Sequence, residues 1–419
     1  MQARFIRIIL STTMLSLSAI PAAYAADDKD PYADKLLGDW GGLRERLANS
    51  GVEAGLDYTG SLWSVRSGGL KEGETYSDIW DLNVAFDNEK LLGIEGNKAM
   101  LQIIGNAGGD VNNRVGSVQG IDNLEAAPNT IKIMEAYIEQ SLAKNRVSVL
   151  VGLHDINTEF NVTDMSANFI VPTMQLAQTW AQSGQNGISA FPVTSFGGRI
   201  KFLPSENSYM MVTAVDGVPG NPDRPHGTHV DFEDGDGILW AAEVGYTPNL
   251  EAQGDTVNNK VAIGAWSYSE RFDDLRDVDS FGNPIKRRQQ GAYLVSSYQF
   301  YKDKASEKDL GAFFRAGFSD GDTAQTEFDY NIGFVGHGWI AGRADGELGI
   351  GVSQASNGNK YNSVTPGAEE HERIYEIYYM DQVARGITLQ PDLQYVTNPG
   401  TDPTVDNAKI VGLRVGISF

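Results

Sequence analysis

The chain has 419 residues, no cysteine, and 33 Lys and Arg against 55 Asp and Glu, a formal charge of −22. A disulfide framework and a cysteine-held metal are excluded, and so acidic a chain repels the phosphates of nucleic acid. With 47 Gly, 15 Pro, 17 Tyr, 17 Phe and 7 Trp, the composition predicts many strands and turns and few long helices.

The first 25 residues have the build of a secretory signal peptide. Arg4 and Arg7 precede a largely apolar run from Ile8 to Ile20, and Pro21 leads into the small-residue cleavage signal Ala23-Tyr24-Ala25. The apolar run is short for a bilayer span of about 20 residues. Its removal leaves 31 Lys and Arg against 55 Asp and Glu, or −24. No comparable apolar run follows. The choice is then between a soluble secreted protein and a transmembrane β-barrel.

Residues 26–50 predict a short helical segment at the periplasmic mouth. Asp39 is placed to cap it, Leu36, Leu37, Trp40, Leu43 and Leu47 give an apolar stripe, and Gly51 stops it.

From residue 51 to 419 the pattern is alternation. In the last segment Val411, Leu413, Val415, Ile417 and Phe419 share one face, and Ile410, Gly412, Arg414, Gly416 and Ser418 the other. Trp80, Leu82, Val84 and Phe86 alternate likewise with Asp81, Asn83, Ala85 and Asp87. The polar faces mix Gly with charge, which suits a water-filled lumen. Sixteen strands are predicted, near 51–64, 76–88, 97–107, 130–141, 145–156, 196–204, 208–216, 236–248, 258–269, 289–302, 309–319, 328–341, 345–354, 371–381, 386–397 and 406–419. The fold class is all-β, a transmembrane antiparallel up-and-down barrel.

Loop lengths sort the two ends. Connections at 143–145, 204–207 and 342–344 are short; those at 108–129, 157–195, 217–235 and 270–288 are long. In outer-membrane barrels short turns face the periplasm and long loops face outside, so both termini fall in the periplasm. Pro391 resists the pattern, because inside a strand it removes a ladder donor.

A string of motifs resembles the carbohydrate-selective outer-membrane porins, the OprB family. Gly38-Asp39-Trp40-Gly41-Gly42-Leu43-Arg44, the stretch at 117–126, the run at 146–160, Ala190-Phe191-Pro192, the run at 389–400 and the terminal 412–419 carry the likeness over nearly the whole mature chain. The resemblance implies a monomeric sixteen-stranded barrel that passes monosaccharides and similar solutes. The chain departs from the family pattern at Thr401, where a second Gly usually follows Pro-Gly.

No nucleotide loop, hydrolase elbow or zinc motif is found. Glu135 and Glu139, four apart on a strand, lie about 13 Å apart on one face, wider than a glycosidase needs. The chain is therefore expected to be no enzyme and to hold no metal or other cofactor. A closed-lumen sugar-binding barrel and a barrel-borne hydrolase are the alternatives. Loop 157–195 is the natural constriction: Asn157, Glu159 and Phe160 open it, Trp180 sits among Gln175, Gln178 and Gln182, and Phe191-Pro192 close it. Trp180 is expected to offer a stacking face to a sugar ring, the alternative being that Phe160, Phe169 and Trp180 pack the loop against the wall. Alternation places Glu135, Tyr137, Glu139, His154, Arg199, Glu243, Trp266, Arg315 and Glu376 inward, as candidates for the pore lining. Expected partners are small carbohydrates, outer-membrane lipid and lipopolysaccharide, and the barrel-assembly machinery through Phe419.

Overall fold

The computed structural model describes residues 31–124, 129–248, 259–303, 306 and 308–419. The expected signal peptide and the start of the 26–50 segment lie outside the described residues. Sixteen antiparallel strands close into one barrel, each paired with its neighbours in chain order and β1 with β16. They are β1 (Val52–Ser67), β2 (Gly73–Asp87), β3 (Asn97–Gly108), β4 (Thr130–Leu142), β5 (Val147–His154), β6 (Ser195–Ser205), β7 (Ser208–Asp216) and β8 (Ile238–Tyr246). The second half is β9 (Lys260–Val278), β10 (Pro284–Asp303), β11 (Lys308–Ser319), β12 (Thr326–His337), β13 (Glu347–Asn357), β14 (His371–Ala384), β15 (Ile387–Thr397) and β16 (Ala408–Ser418). No described helix is long and apolar enough to cross a membrane, so the crossing is made by strands. Closure removes every sheet edge, which is what lets strands span a bilayer.

Phase follows the predicted alternation. Trp80, Trp240, Val244, Phe318 and Leu413 are exposed on the outer wall, while Asp81, Glu243, Arg315 and Arg414 are buried inside. Pro391 stands within β15, opposite Leu413 of β16. On its other side the β14 pairing passes from Tyr378–Asp392 to Asp381–Leu389, leaving Pro391 out of that ladder.

Two expectations are corrected. Residues 270–288 are not a loop: β9 and β10 continue as a long hairpin whose connection is 279–283. The charges that look loop-like are paired. Lys360 reaches Asp322 at 2.7 Å and Asp277 at 2.9 Å and also meets Asp274, while Arg287 bonds Asp274 at 3.1 Å. Lys360 belongs to a short helix, Asn359–Val364, which folds over the hairpin from the β13–β14 connection. The N-terminal helix is also shorter than expected, Leu43–Ser50. Gly38, Trp40, Gly41 and Gly42 all take positive φ, so the chain turns there instead of coiling, and Leu37 and Leu43 stay exposed. Gly51 ends the helix in the left-handed region, as predicted.

Thr401 has φ 55, left-handed backbone that a β-branched residue rarely adopts. Its buried hydroxyl accepts from Asn357 Nδ2 at 3.0 Å and Gln325 Nε2 at 3.2 Å, bonds that a glycine there would lack.

Candidate functional site: a lumen narrowed by two inward loops

Two connections on the long-loop end fold into the barrel. The β3–β4 connection covers the β14–β16 and β1–β2 side. Its Asp122 accepts from Trp63 Nε1 at 2.6 Å and Ser77 Oγ at 3.0 Å and pairs with Arg414 at 2.5 Å. Glu372 of β14 accepts from Ser117 Oγ at 2.6 Å and the Val118 N–H at 3.1 Å. Sequence reasoning treated this connection as an outer loop. The one available signal was a lone acidic Asp122 among Ile121, Asn123 and Leu124.

The β5–β6 connection, the expected constriction, fills the β8–β15 side. Irregular backbone cannot satisfy its own N–H and C=O groups, and buried ones need partners. Wall side chains supply them. Glu243 of β8 accepts from the Asn161 N–H at 2.8 Å, Tyr209 Oη at 2.5 Å and Tyr293 Oη at 2.6 Å. Glu376 of β14 accepts the Ile170 and Val171 N–H groups at 2.5 and 3.1 Å. Asp329 of β12 takes the Thr179 N–H at 2.8 Å and its hydroxyl at 2.6 Å. Carbonyls are met by Arg315 of β11, which donates to Asn161 O at 2.9 Å and to Met174 O, and by Gln390, which donates to Asn168 O at 2.6 Å.

Several expected lining residues are thereby corrected. Glu243, Glu376 and Arg315 do point inward but are buried under the loop they hold. Trp180 is fully buried, stacked on Tyr293 and Trp266 at 5.3 and 6.4 Å and edge-on to Phe160 at 6.5 Å. Neither it nor Trp266 offers a free ring face. Burying large apolar surface against the wall is the stronger driving force than leaving an indole in water.

A charged knot closes the two ends of this loop. Arg199 Nε bonds Glu159 at 2.6 Å and its Nη2 bonds Glu139 at 3.0 Å. His154 lies 3.3 Å from Glu135 and 3.5 Å from Glu159. Glu135, Glu139, His154, Glu159 and Arg199, expected separately as inward or loop residues, form one network. Burial pushes the Glu159 carboxyl up, but Lys201, Arg199 and His154 outweigh it and hold it well below the usual range. Beside it, burial and the Glu135 charge push the Asp155 carboxyl up to about 7, against the Phe191 and Asn157 N–H groups that bond it.

A cavity of 470 Å³ lies on the β3–β4 side, bounded by both inward loops and by residues of the 217–237 connection. Its lining mixes amides and hydroxyls (Asn106, Asn123, Asn157, Thr158, Gln175, Gln178) with apolar side chains such as Leu176, Ile188, Phe191 and Pro192, and Asp155, Lys132, Arg224 and His229 are among its charged or titratable groups. Of the expected site residues, Asn157 lies on it. Lys132 and the 217–237 residues were missed, because only the third dimension brings them to one opening.

The description of the carbohydrate-selective porin, OprB family, matches residues 71–419. The chain belongs to that family. Porin B of Pseudomonas aeruginosa is 24% identical over 95% of this chain and 94% of its own length. The putative porin QuiX of Acinetobacter baylyi is 21% identical over 92% and 93%. The high-pH structure of Pseudomonas putida OprB, at 21% identity, superposes with a TM-score of 0.82 over 92% of this chain and 99% of that one. Like the family, this porin is an outer-membrane channel for carbohydrates.

Proposed function

We propose that small carbohydrates diffuse into the periplasm through the 470 Å³ cavity, with Asn157 among the residues that touch them. The observation that carries this reading is the division of labour in the lumen. Acidic side chains of the wall such as Glu243, Glu376 and Asp329 are bonded to loop backbone, while the amides and hydroxyls of Asn106, Asn123, Asn157, Thr158 and Gln178 border the open space between apolar faces such as Phe191 and Pro192. Hydroxyl-rich, uncharged solutes exchange water for such groups at little cost, and the volume lies within the range of about 300–1,000 Å³ that holds a small molecule. Transport is passive. Glu135, Glu139, His154, Glu159 and Arg199 act as positioning residues that fix where the loop leaves and rejoins the wall.

The same reading has residues 1–25 as the export signal, 26–50 as a periplasmic segment, and a monomer as the working unit. The segment is tied to the barrel end by Leu36 N–H to Ser418 O at 2.7 Å and Lys35 Nζ to Ser418 Oγ at 2.7 Å. Phe419 stacks on Trp80 at 5.8 Å and would present the terminal aromatic to the assembly machinery.

The test is planar-bilayer recording of the mature chain with glucose titration. Conductance with sugar block, weakened in Asn157→Ala, is the expected result. A reconstituted barrel without conductance would favour the closed sugar-binding alternative. Deleting Phe419 is expected to lower insertion far more than Ser418→Ala; equal heat-modifiable yield would count against that role. Native electrophoresis showing a trimer would overturn the monomer.

A further inference from the structure

The outer wall carries a notch at β8–β11. Ala242, Ala265, Ala292 and Phe318 stand side by side across four strands. The next row toward the barrel middle is larger, with Val244, Ile263 and Leu294 in register. Trp240 stands exposed on the rim beside Ser267 and Gln290. The alanine row, Phe318, Trp240, Ser267 and Gln290 border a groove of 610 Å³ on the lipid-facing side.

Four residues farther along β10, about 14 Å of strand, the long hairpin places Arg288 directly opposite Arg271. Both alternate outward, on the face opposite Gln289 and Asp274. Like charges opposed across a strand pair repel. Their neighbour Asp273 is bonded to Lys286 at 2.7 Å. Arg271 donates to the Lys286 carbonyl at 3.4 Å, and among the described residues neither guanidinium has a carboxylate partner. Two unneutralised arginines side by side are an exception on a chain of charge −22. The exposed Trp240, one row nearer the arginines than the alanines, marks the membrane boundary between groove and arginines.

We propose that this surface binds a phosphorylated lipid of the outer leaflet, its acyl chain in the alanine groove and its headgroup phosphate between Arg271 and Arg288. Guanidinium forks match phosphate oxygens two at a time, and their strength rises near a low-dielectric wall. Asp320 borders the groove. The proposal uses the orientation given above, with long loops outside.

The test is native mass spectrometry of the full mature chain in detergent with diphosphoryl lipid A, its dephosphorylated form, and inorganic phosphate as probes. The native chain is expected to retain diphosphoryl lipid A about tenfold better than the dephosphorylated form, and R271Q/R288Q to lose that preference. Ala292→Leu, which fills the groove, is expected to weaken both lipids. Unchanged preference in R271Q/R288Q overturns the proposal. So does full displacement of the lipid by inorganic phosphate, which would leave a phosphate site without a lipid. Glucose-blocked conductance is recorded on the same samples. It reports that each variant folds, and it tests the sugar path separately, since lipid retention in detergent depends on neither transport nor orientation.

Discussion

The two halves of the lumen are built from similar strands and end in opposite states. On the β8–β15 side the inner wall is dry: Glu243, Asp329, Glu376 and Arg315 are buried beneath loop backbone, and Trp180 lies flat against Trp266 and Tyr293. On the β3–β4 side the wall stays wet, and Asn106 and Lys132 border open space. Charge content does not separate them, since both walls carry acidic and basic groups. The difference is which wall a loop covers. A buried loop demands acceptors and donors for its backbone, so charged wall residues become its anchors, and the open space is left between the loops on the β3–β4 side.

The largest expected effect tests the dry side. Arg315→Ala leaves Asn161 O, Met174 O and Asn331 Oδ1 without their donor. A buried charged donor of this kind is worth about 3–5 kcal/mol. The loop should leave the wall, raising single-channel conductance and weakening sugar block together. Unchanged conductance would show that the carboxylate anchors hold the loop without it.

Trp180→Ala sharpens the comparison. It empties a packed aromatic site, costing about 3 kcal/mol, and should lower the temperature at which the barrel loses heat-modifiable mobility. The half-blocking glucose concentration should stay unchanged in an intact channel. A selective loss of sugar block without loss of stability would return Trp180 to the sugar path.

The smallest effect concerns the junction between the halves. The Asp155 carboxyl is held up to about 7 in the folded chain, against the ordinary carboxylate value near 4 in the unfolded chain. Between those values the folded state binds the extra proton. Its contribution to stability is therefore present below the window and falls as pH rises through it, by at most about 1.4 kcal/mol per pH unit. Asp155→Asn should flatten the urea-midpoint profile between pH 4 and 7, at a uniform cost of about 1 kcal/mol for one backbone bond lost. A native profile already flat over that range would contradict the assignment.

Local sequence went far. Period-two alternation placed Leu413 outside and Arg414 inside, and the strand at 208–216 has the predicted bounds. Asn157 was expected in the constriction loop and borders the cavity, while Glu135, Glu139, His154 and Arg199 were expected to face inward on strands beside the loop that Glu159 helps to open. Trp180 was misjudged because an indole suits a sugar and a packed core equally well, and spacing does not say which surface will arrive to cover it. The hairpin of β9 and β10 was shortened because Asp274, Asp277 and Arg287 look solvated until Lys360 is brought to them.

What the sequence by itself determined was the barrel: strand number, inward and outward faces, and which end carries the long loops. These depend on side-chain period and turn spacing, which are local. Only the tertiary structure decided which inward residues meet water and which hold backbone. That choice rests on two loops crossing the lumen, each fixed by partners such as Glu376 with Ile170, 206 residues apart, and contacts over that separation leave no periodic mark in the chain.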